Sequence, residues 1–210
     1  MSLFLRLVLF SGFAAILPAQ TSGNLVSVEE LRHPLTGKSL RALITARDHL
    51  KSGEGERGMQ ELRDALRDPM AMPYAISMMA VEHLCAGQLE TAVGELEQAI
   101  QLLPGRPENH ANMAYALFLK GQPARGLEEV RKALQLDGGV PKTRLVLGML
   151  LLQQGSHDAE AIRQLQAAAQ EDPDAHLILA RHYDRAGKAP EAEKERRAYS
   201  VKSMGLLASK

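Results

Sequence analysis

A chain of 210 residues rich in alanine, leucine, glutamate, arginine and glutamine, with aromatics at 4% and no alternating Val/Ile/Thr run, favours helices and predicts no sheet. Lysine plus arginine equal aspartate plus glutamate at 25 each, and removing residues 1–19, which carry only Arg6, leaves 24 against 25. That balance, without a basic cluster, argues against nucleic acid as a partner and equally against electrostatic attachment to an anionic membrane.

Residues 1–19, MSLFLRLVLFSGFAAILPA, combine one positive charge, an apolar stretch from Leu7 to Leu17 and a small residue, Ala19, at a cleavage position. This is the pattern of a secretory signal peptide, and it predicts a periplasmic or secreted protein. The apolar stretch is too short to span a bilayer, and no later segment approaches the roughly 20 apolar residues of a membrane helix, so the mature chain is expected to lack a transmembrane segment. No cysteine follows the stretch to carry a lipid anchor, and Cys85, the only cysteine, has no intrachain disulfide partner. Residues 20–38 read as a linker with one short helical turn: Ser27 and Glu30 have capping-box spacing ahead of Leu31, and Pro34 stops the turn.

From residue 39 the chain repeats. Glycine stands at 53, 87, 121, 155 and 187, intervals of 34, 34, 34 and 32. A small residue follows each glycine five or six positions later: Gly58, Ala92, Gly126, Ala161 and Ala192. A third row, Ala65, Ala99, Ala133 and Ala168, is preceded by Leu62, Leu96, Val130 and Leu165. A fourth, Ala46, Ala80, Ala114, Gly148 and Ala180, lies seven residues before each glycine. Short side chains at fixed spacing let two helices approach closely. A period near 34 with a central glycine means one helix hairpin per period, the glycine supplying the left-handed backbone that ends the first helix. Pro107 and Pro141 open first helices, where a missing N–H is harmless, and Pro69, Pro104 and Pro173 close second helices. The predicted repeats are 39–69, 73–104, 107–138, 141–173 and 174–198, followed by a tail over 199–210. The charged stretch Glu191–Arg197 gives the last helix a polar outer side, as the end of an array requires.

The small residue, turn glycine, second-helix alanine and closing proline seen as Ala80, Gly87, Ala92, Ala99 and Pro104 resemble the tetratricopeptide repeat, over roughly residues 39–198. The departures are three. No tryptophan occupies the early aromatic position, where Ile76, His110, Arg144 and His176 stand. One extra residue sits between Gly155 and Ala161, and Gly138 replaces a closing proline. The resemblance implies an all-α fold, a right-handed superhelical array of about five antiparallel helix hairpins. It also implies a concave groove lined by the first helices.

Four patterns look like chemistry and do not carry it. Gly53, Gly55 and Gly58 spell GxGxxG, but a helix precedes them where a dinucleotide site needs a strand, and Glu54 and Glu56 would repel phosphate. Thr36, Gly37, Lys38 and Ser39 resemble the end of a phosphate loop, yet Arg32 occupies the place of its first glycine. His49 and His83 share a repeat position with Leu117, Leu151 and Tyr183, which points to core packing, and His176 and His182 are six apart, not a single-face spacing. Cys85 has no basic cluster nearby in sequence to activate it and reads as a small apolar filler. No catalytic, cofactor or metal site is predicted, and the chain is read as a non-enzyme.

By the resemblance, the groove of the central repeats carries Tyr74, Met78, Val81 and Leu84, then Asn112, Tyr115 and Phe118, then Lys142, Met149 and Leu152. Tyr115, Phe118, Met149 and Leu152 are expected to form one patch. Part of the wider lining, Val146 and Leu119 especially, is expected to pack between repeats. Of the lysine, asparagine and arginine set that clamps chaperone C-termini in this family, only Asn112 and Lys142 match, with Ser77, Val81 and Val146 at the other positions, so that activity is not implied. The leading expectation is an exported module that holds a protein or peptide partner. Two alternatives stay open: an enzyme or enzyme-associated subunit using Cys85 or the histidines, and a self-assembling structural protein, a homo-oligomer, whose groove is filled by its own N-terminal segment or by a second copy.

Overall fold

The computed structural model describes residues 35, 37–137, 141–155 and 157–208. The signal segment, the Ser27–Pro34 turn, Thr36 and Gly138 lie outside the described residues. Within them there are ten helices and no strand. In chain order these are α1 (Gly37–Lys51), α2 (Gly55–Ala65), α3 (Met72–Cys85), α4 (Leu89–Leu102), α5 (Pro107–Leu119), α6 (Pro123–Asp137), α7 (Pro141–Gln154), α8 (Asp158–Ala168), α9 (Asp174–Arg185) and α10 (Ala189–Ala208). Helix α1 packs on α2, α3 on α4, α7 on α8 and α9 on α10, and the chain divides into two compact units between Ala116 and Leu117, within α5.

The glycines at 53, 87, 121, 155 and 187 have φ between +69° and +85°, and no other described residue has a positive φ. The reason is the hairpin turn. In the second hairpin the Gln88 N–H donates to the His83 carbonyl (2.9 Å) and the Gly87 N–H to that of Leu84 (3.0 Å), closing the helix end with a left-handed glycine. The same pair of bonds recurs after α1, α5 and α9. Gly155, in the turn with the additional residue, places its N–H on the Leu151 carbonyl at 3.1 Å.

The rows of small residues are the helix contacts. Ala46, Ala80, Ala92, Ala99, Ala114, Ala133, Ala161, Ala168 and Ala192 are fully buried, and Leu62, Leu96, Val130 and Leu165 beside them are equally closed off. In the first unit Leu43, Leu50, Leu62, Tyr74, Met78 and Leu103 share one buried cluster, and in the second Leu145, Leu165, Ala175 and Leu179 share another. Helices α3 and α7 are apolar almost all round, which suits elements enclosed by neighbours. Ala99→Leu and Ala133→Leu are each expected to destabilise by about 1–3 kcal/mol, because an isobutyl group has to be forced into a closed contact. Urea unfolding checks this, with the exposed Gln135→Leu as control; parental stability in both alanine variants would refute the packing assignment.

The fifth hairpin departs from the others in a consistent way. At the place of Leu62, Leu96, Val130 and Leu165 it carries Arg196, whose guanidinium bonds Asp184 across the hairpin at 2.8 Å and Glu193 at 3.2 Å. The expected tail over 199–210 is corrected: α10 continues to Ala208. No proline interrupts it, Tyr199 is half-buried, and Lys202 donates to the Ala169 and Gln170 carbonyls at 2.5 and 2.7 Å. A lysine over the end of α8 meets carbonyls that have no partner within that helix.

Candidate functional site

The first helices of the repeats supply the groove positions, and the structure divides them into two groups. In the first unit Tyr74, Met78, Val81, Leu84 and Tyr115 are buried, between 0% and 7% exposed. They are core, which corrects the expectation of an open groove floor there: Tyr74 and Met78 pack with Leu43, Leu50 and Leu103. Arg106, in the turn before α5, closes over Tyr74 with its guanidinium 5.1 Å from the ring centroid, an arrangement that spacing alone does not announce. Burial pushes the Tyr115 phenol up to about 12, with Cys85 adding to the shift. Asn112 is half-buried.

In the second unit the groove positions remain partly open. Phe118, Met149 and Leu152 are half-buried, and Leu119, expected to pack away, is 38% exposed. The Gln153 side-chain amide donates to the Phe118 carbonyl at 3.1 Å, which sets the end of α7 against the end of α5. Met149, Leu152 and Ile178 rest on the cluster of Leu145 and Leu179. Met149, Leu152 and Ile178 are thus anchored at their bases and partly solvent-facing, while on α5 Phe118 is half-buried and Leu119 exposed. Val146 is buried, as its expected packing role requires. Arg181, Asp184 and Arg185 lie exposed on α9.

Lys142 is half-buried at the other end of the same helices. Burial holds its ammonium down at about 8, against the pull of Asp172 and Asp174. Burial likewise raises the Asp174 carboxyl to about 6, with Asp172 adding and Lys142 opposing. Sequence reading had Lys142 alone; its acidic neighbours lie some thirty residues further along the chain.

A polar row also went unread. Glu61, Glu95, Glu129, Gln164 and Glu195 each stand one residue before the buried leucine or valine of the second helix, or before the exposed Arg196 of the fifth hairpin. Three of them reach the first helix of their own hairpin: Glu95 to His83 Nδ1 at 2.7 Å, Gln164 to Arg144 at 3.1 Å, and Glu195 to His176 Nδ1 at 2.6 Å. His83 is therefore a hydrogen-bonding partner of α4, and His49 lies 3.2 Å from Glu54, so apolar core filling is corrected for both. The signal was present as a period of polar residues in step with the alanines. Among the described residues no group of three or more His, Cys, Asp or Glu is placed to hold a metal ion, and no helix is long and apolar enough to cross a membrane.

No family model matches the chain, and no curated protein matches it in sequence. Solved structures match its fold. PilW, a widely conserved type IV pilus biogenesis factor, superposes with a TM-score of 0.72 at 20% identity, over 81% of this chain and 80% of that one. TTC0263, a thermophilic TPR protein of Thermus thermophilus, gives 0.67 at 17% identity over 81% and 99%. MamA from Desulfovibrio magneticus gives 0.59 at 17% over 83% and 98%. With these similarities, the five left-handed glycines and the paired helices, the chain has the tetratricopeptide-repeat fold, an all-α solenoid of helix hairpins.

Proposed function

We propose that this protein is an exported scaffold that holds a segment of another protein against the first helices of its second unit, with Phe118, Met149 and Leu152 as anchors. The observation that carries the reading is the set of partly open apolar side chains on α7 and α9, Met149, Leu152 and Ile178, packed on one cluster. Apolar side chains held at their bases and left accessible at their tips offer large contact area at little ordering cost, and methionine adapts to an imperfect fit. The charged residues of α9 beside the face, Arg181, Asp184 and Arg185, complete an apolar centre with a polar rim. Export rests on the N-terminal segment and puts the partner in the cell envelope or outside it.

The test uses photo-crosslinking side chains at Phe118, Met149 and Leu152, with Arg131 and Gln135 on α6 as controls, in cells making the full chain. One defined adduct from the three face positions and none from α6 is the expected result. Met149→Glu should then weaken capture of that adduct's protein by about 2 kcal/mol or more while the melting temperature stays near the parent's. Equal crosslinking from α6, or capture unchanged by Met149→Glu, overturns the reading. Mass determination of the natively expressed protein tests export separately; a mature N-terminus near Gln20 supports it, and an uncleaved cytosolic chain ends it.

A further inference from the structure

Within the second unit the first-helix side chains change character from one hairpin to the next. Six residues before its turn glycine the fourth hairpin carries Met149 and the fifth carries Arg181; two residues before it they carry Gln153 and Arg185. On α9 Arg181 follows Ile178 by three residues and Arg185 follows it by seven, so the three share one side of the helix. Ile178 packs with Met149 and Leu152 on the cluster of Leu145, Ala175 and Leu179. The arginines therefore continue directly from the apolar set.

Both arginines are exposed, and among the described residues neither is ion-paired or hydrogen-bonded to a carboxylate. The acids of the same hairpin are engaged elsewhere. Asp184, between the two arginines in sequence, bonds Arg196 of α10 at 2.8 Å. Glu193 bonds Arg196 at 3.2 Å and Arg197 at 2.9 Å, and Glu195 bonds His176 at 2.6 Å. Two guanidiniums of α9 are thus left to whatever lies against them. Their planar forks match carboxylates at two points each. One helical turn, about 6 Å along the axis, separates them, which suits acidic side chains two residues apart in an extended chain or one turn apart on a helix.

We propose that the segment held by the second unit is acidic as well as apolar: its apolar side chains rest on Met149, Leu152 and Ile178, and two carboxylates just beyond them reach Arg181 and Arg185. This rests on the docking reading above and adds the chemistry of the partner. Nucleic acid also brings negative charge, but its phosphates would leave the three apolar side chains without a counterpart. A second copy packed through the same face would bring arginine toward arginine. An acidic, apolar segment satisfies both halves of the surface. Recognition of this kind speeds encounter, rejects basic segments and weakens with salt.

Selection from a library of short random peptides on the immobilised full chain tests the proposal. Peptides taken by the parent protein should combine Asp or Glu with Leu, Ile, Met or Phe, and should bind less well as salt rises. A double variant, Arg181→Glu with Arg185→Glu, should bind those peptides about tenfold or more weakly and select basic ones instead. Its melting temperature should stay near the parent's, since both side chains are exposed. If glutamate beside Asp184 disturbs the hairpin, Arg181→Gln with Arg185→Gln removes the charge without adding repulsion and should show the same loss. Selected peptides without acidic residues, or peptides bound equally by the parent and the glutamine variant, overturn the proposal. Met149→Ala separates the two readings. Peptides that depend on Met149 but ignore the arginines leave docking in place and remove the acidic partner; peptides indifferent to all three positions, or none selected at all, remove both. An oligonucleotide that displaces the peptides, or a dimer in sedimentation that dissociates on Arg181→Glu, points to a different occupant and likewise overturns the proposal.

Discussion

Tyr115→Glu is expected to cost about 3 kcal/mol or more of stability, enough to unfold much of the protein at growth temperature. Tyr115 is 7% exposed and its surroundings already hold the phenol proton up to about 12. A carboxylate in that place would lose most of its hydration. Met149→Glu, by contrast, puts the new charge at a half-buried tip from which it can reach water. Urea titrations of the two variants in parallel should therefore separate widely, and Tyr115→Phe should remain close to the parent. A Tyr115→Glu protein as stable as the parent would return this side chain to the binding face.

The second large effect concerns a pair. Gly148 stands where the other repeats have Ala46, Ala80, Ala114 and Ala180. A Cβ there would meet Leu165 Cγ at 2.5 Å and Cδ2 at 2.8 Å, with the Ala161 carbonyl oxygen at 3.3 Å. Helices α7 and α8 thus approach too closely for even a methyl group. Leu165→Ala, removing a fully buried side chain, should cost about 2–5 kcal/mol. Gly148→Ala alone should destabilise, because the overlap outweighs the gain of about 1 kcal/mol in helix propensity. In the Leu165→Ala background the same change should stabilise, since the methyl group then fills part of the cavity. A double-mutant cycle by denaturant unfolding should give a coupling on the order of 1–3 kcal/mol. Simple additivity would show that the helices shift to accommodate the methyl group and that the close contact is soft.

The hairpins were legible in the sequence because each rests on a local rule with few substitutes. A left-handed backbone at 53, 87, 121, 155 and 187 calls for glycine, and a closed helix contact at 99 or 133 calls for alanine, so both leave a periodic trace. The candidate site was legible only by halves. Register says which face of α3 or α7 turns away from its own hairpin partner; how far neighbouring elements close over that face is a tertiary matter. At Tyr74 the closure comes from Arg106, a residue of the next repeat that lies outside any helix, while at Met149 and Leu152 the face stays partly open. Lys142 and Asp174 were likewise invisible as a pair, because each belongs to a different repeat and nothing in either one names the other. The length of α10 escaped for a simpler reason. Its last turns are secured by Lys202 on the carbonyls of Ala169 and Gln170, residues of the preceding repeat.

Arg196 also changes what the last described hairpin offers to its surroundings. A stack of identical hairpins has no intrinsic end, since the face that receives one unit is reproduced by the next, and head-to-tail contacts that never close grow into filaments. Leucine or valine at the equivalent position of the first four hairpins is closed off from water. The fifth offers a guanidinium already engaged by Asp184 and Glu193, and covering it would mean desolvating three charges for no new partner. A further copy stacked on this hairpin would thus meet charge where the earlier hairpins keep an apolar side chain.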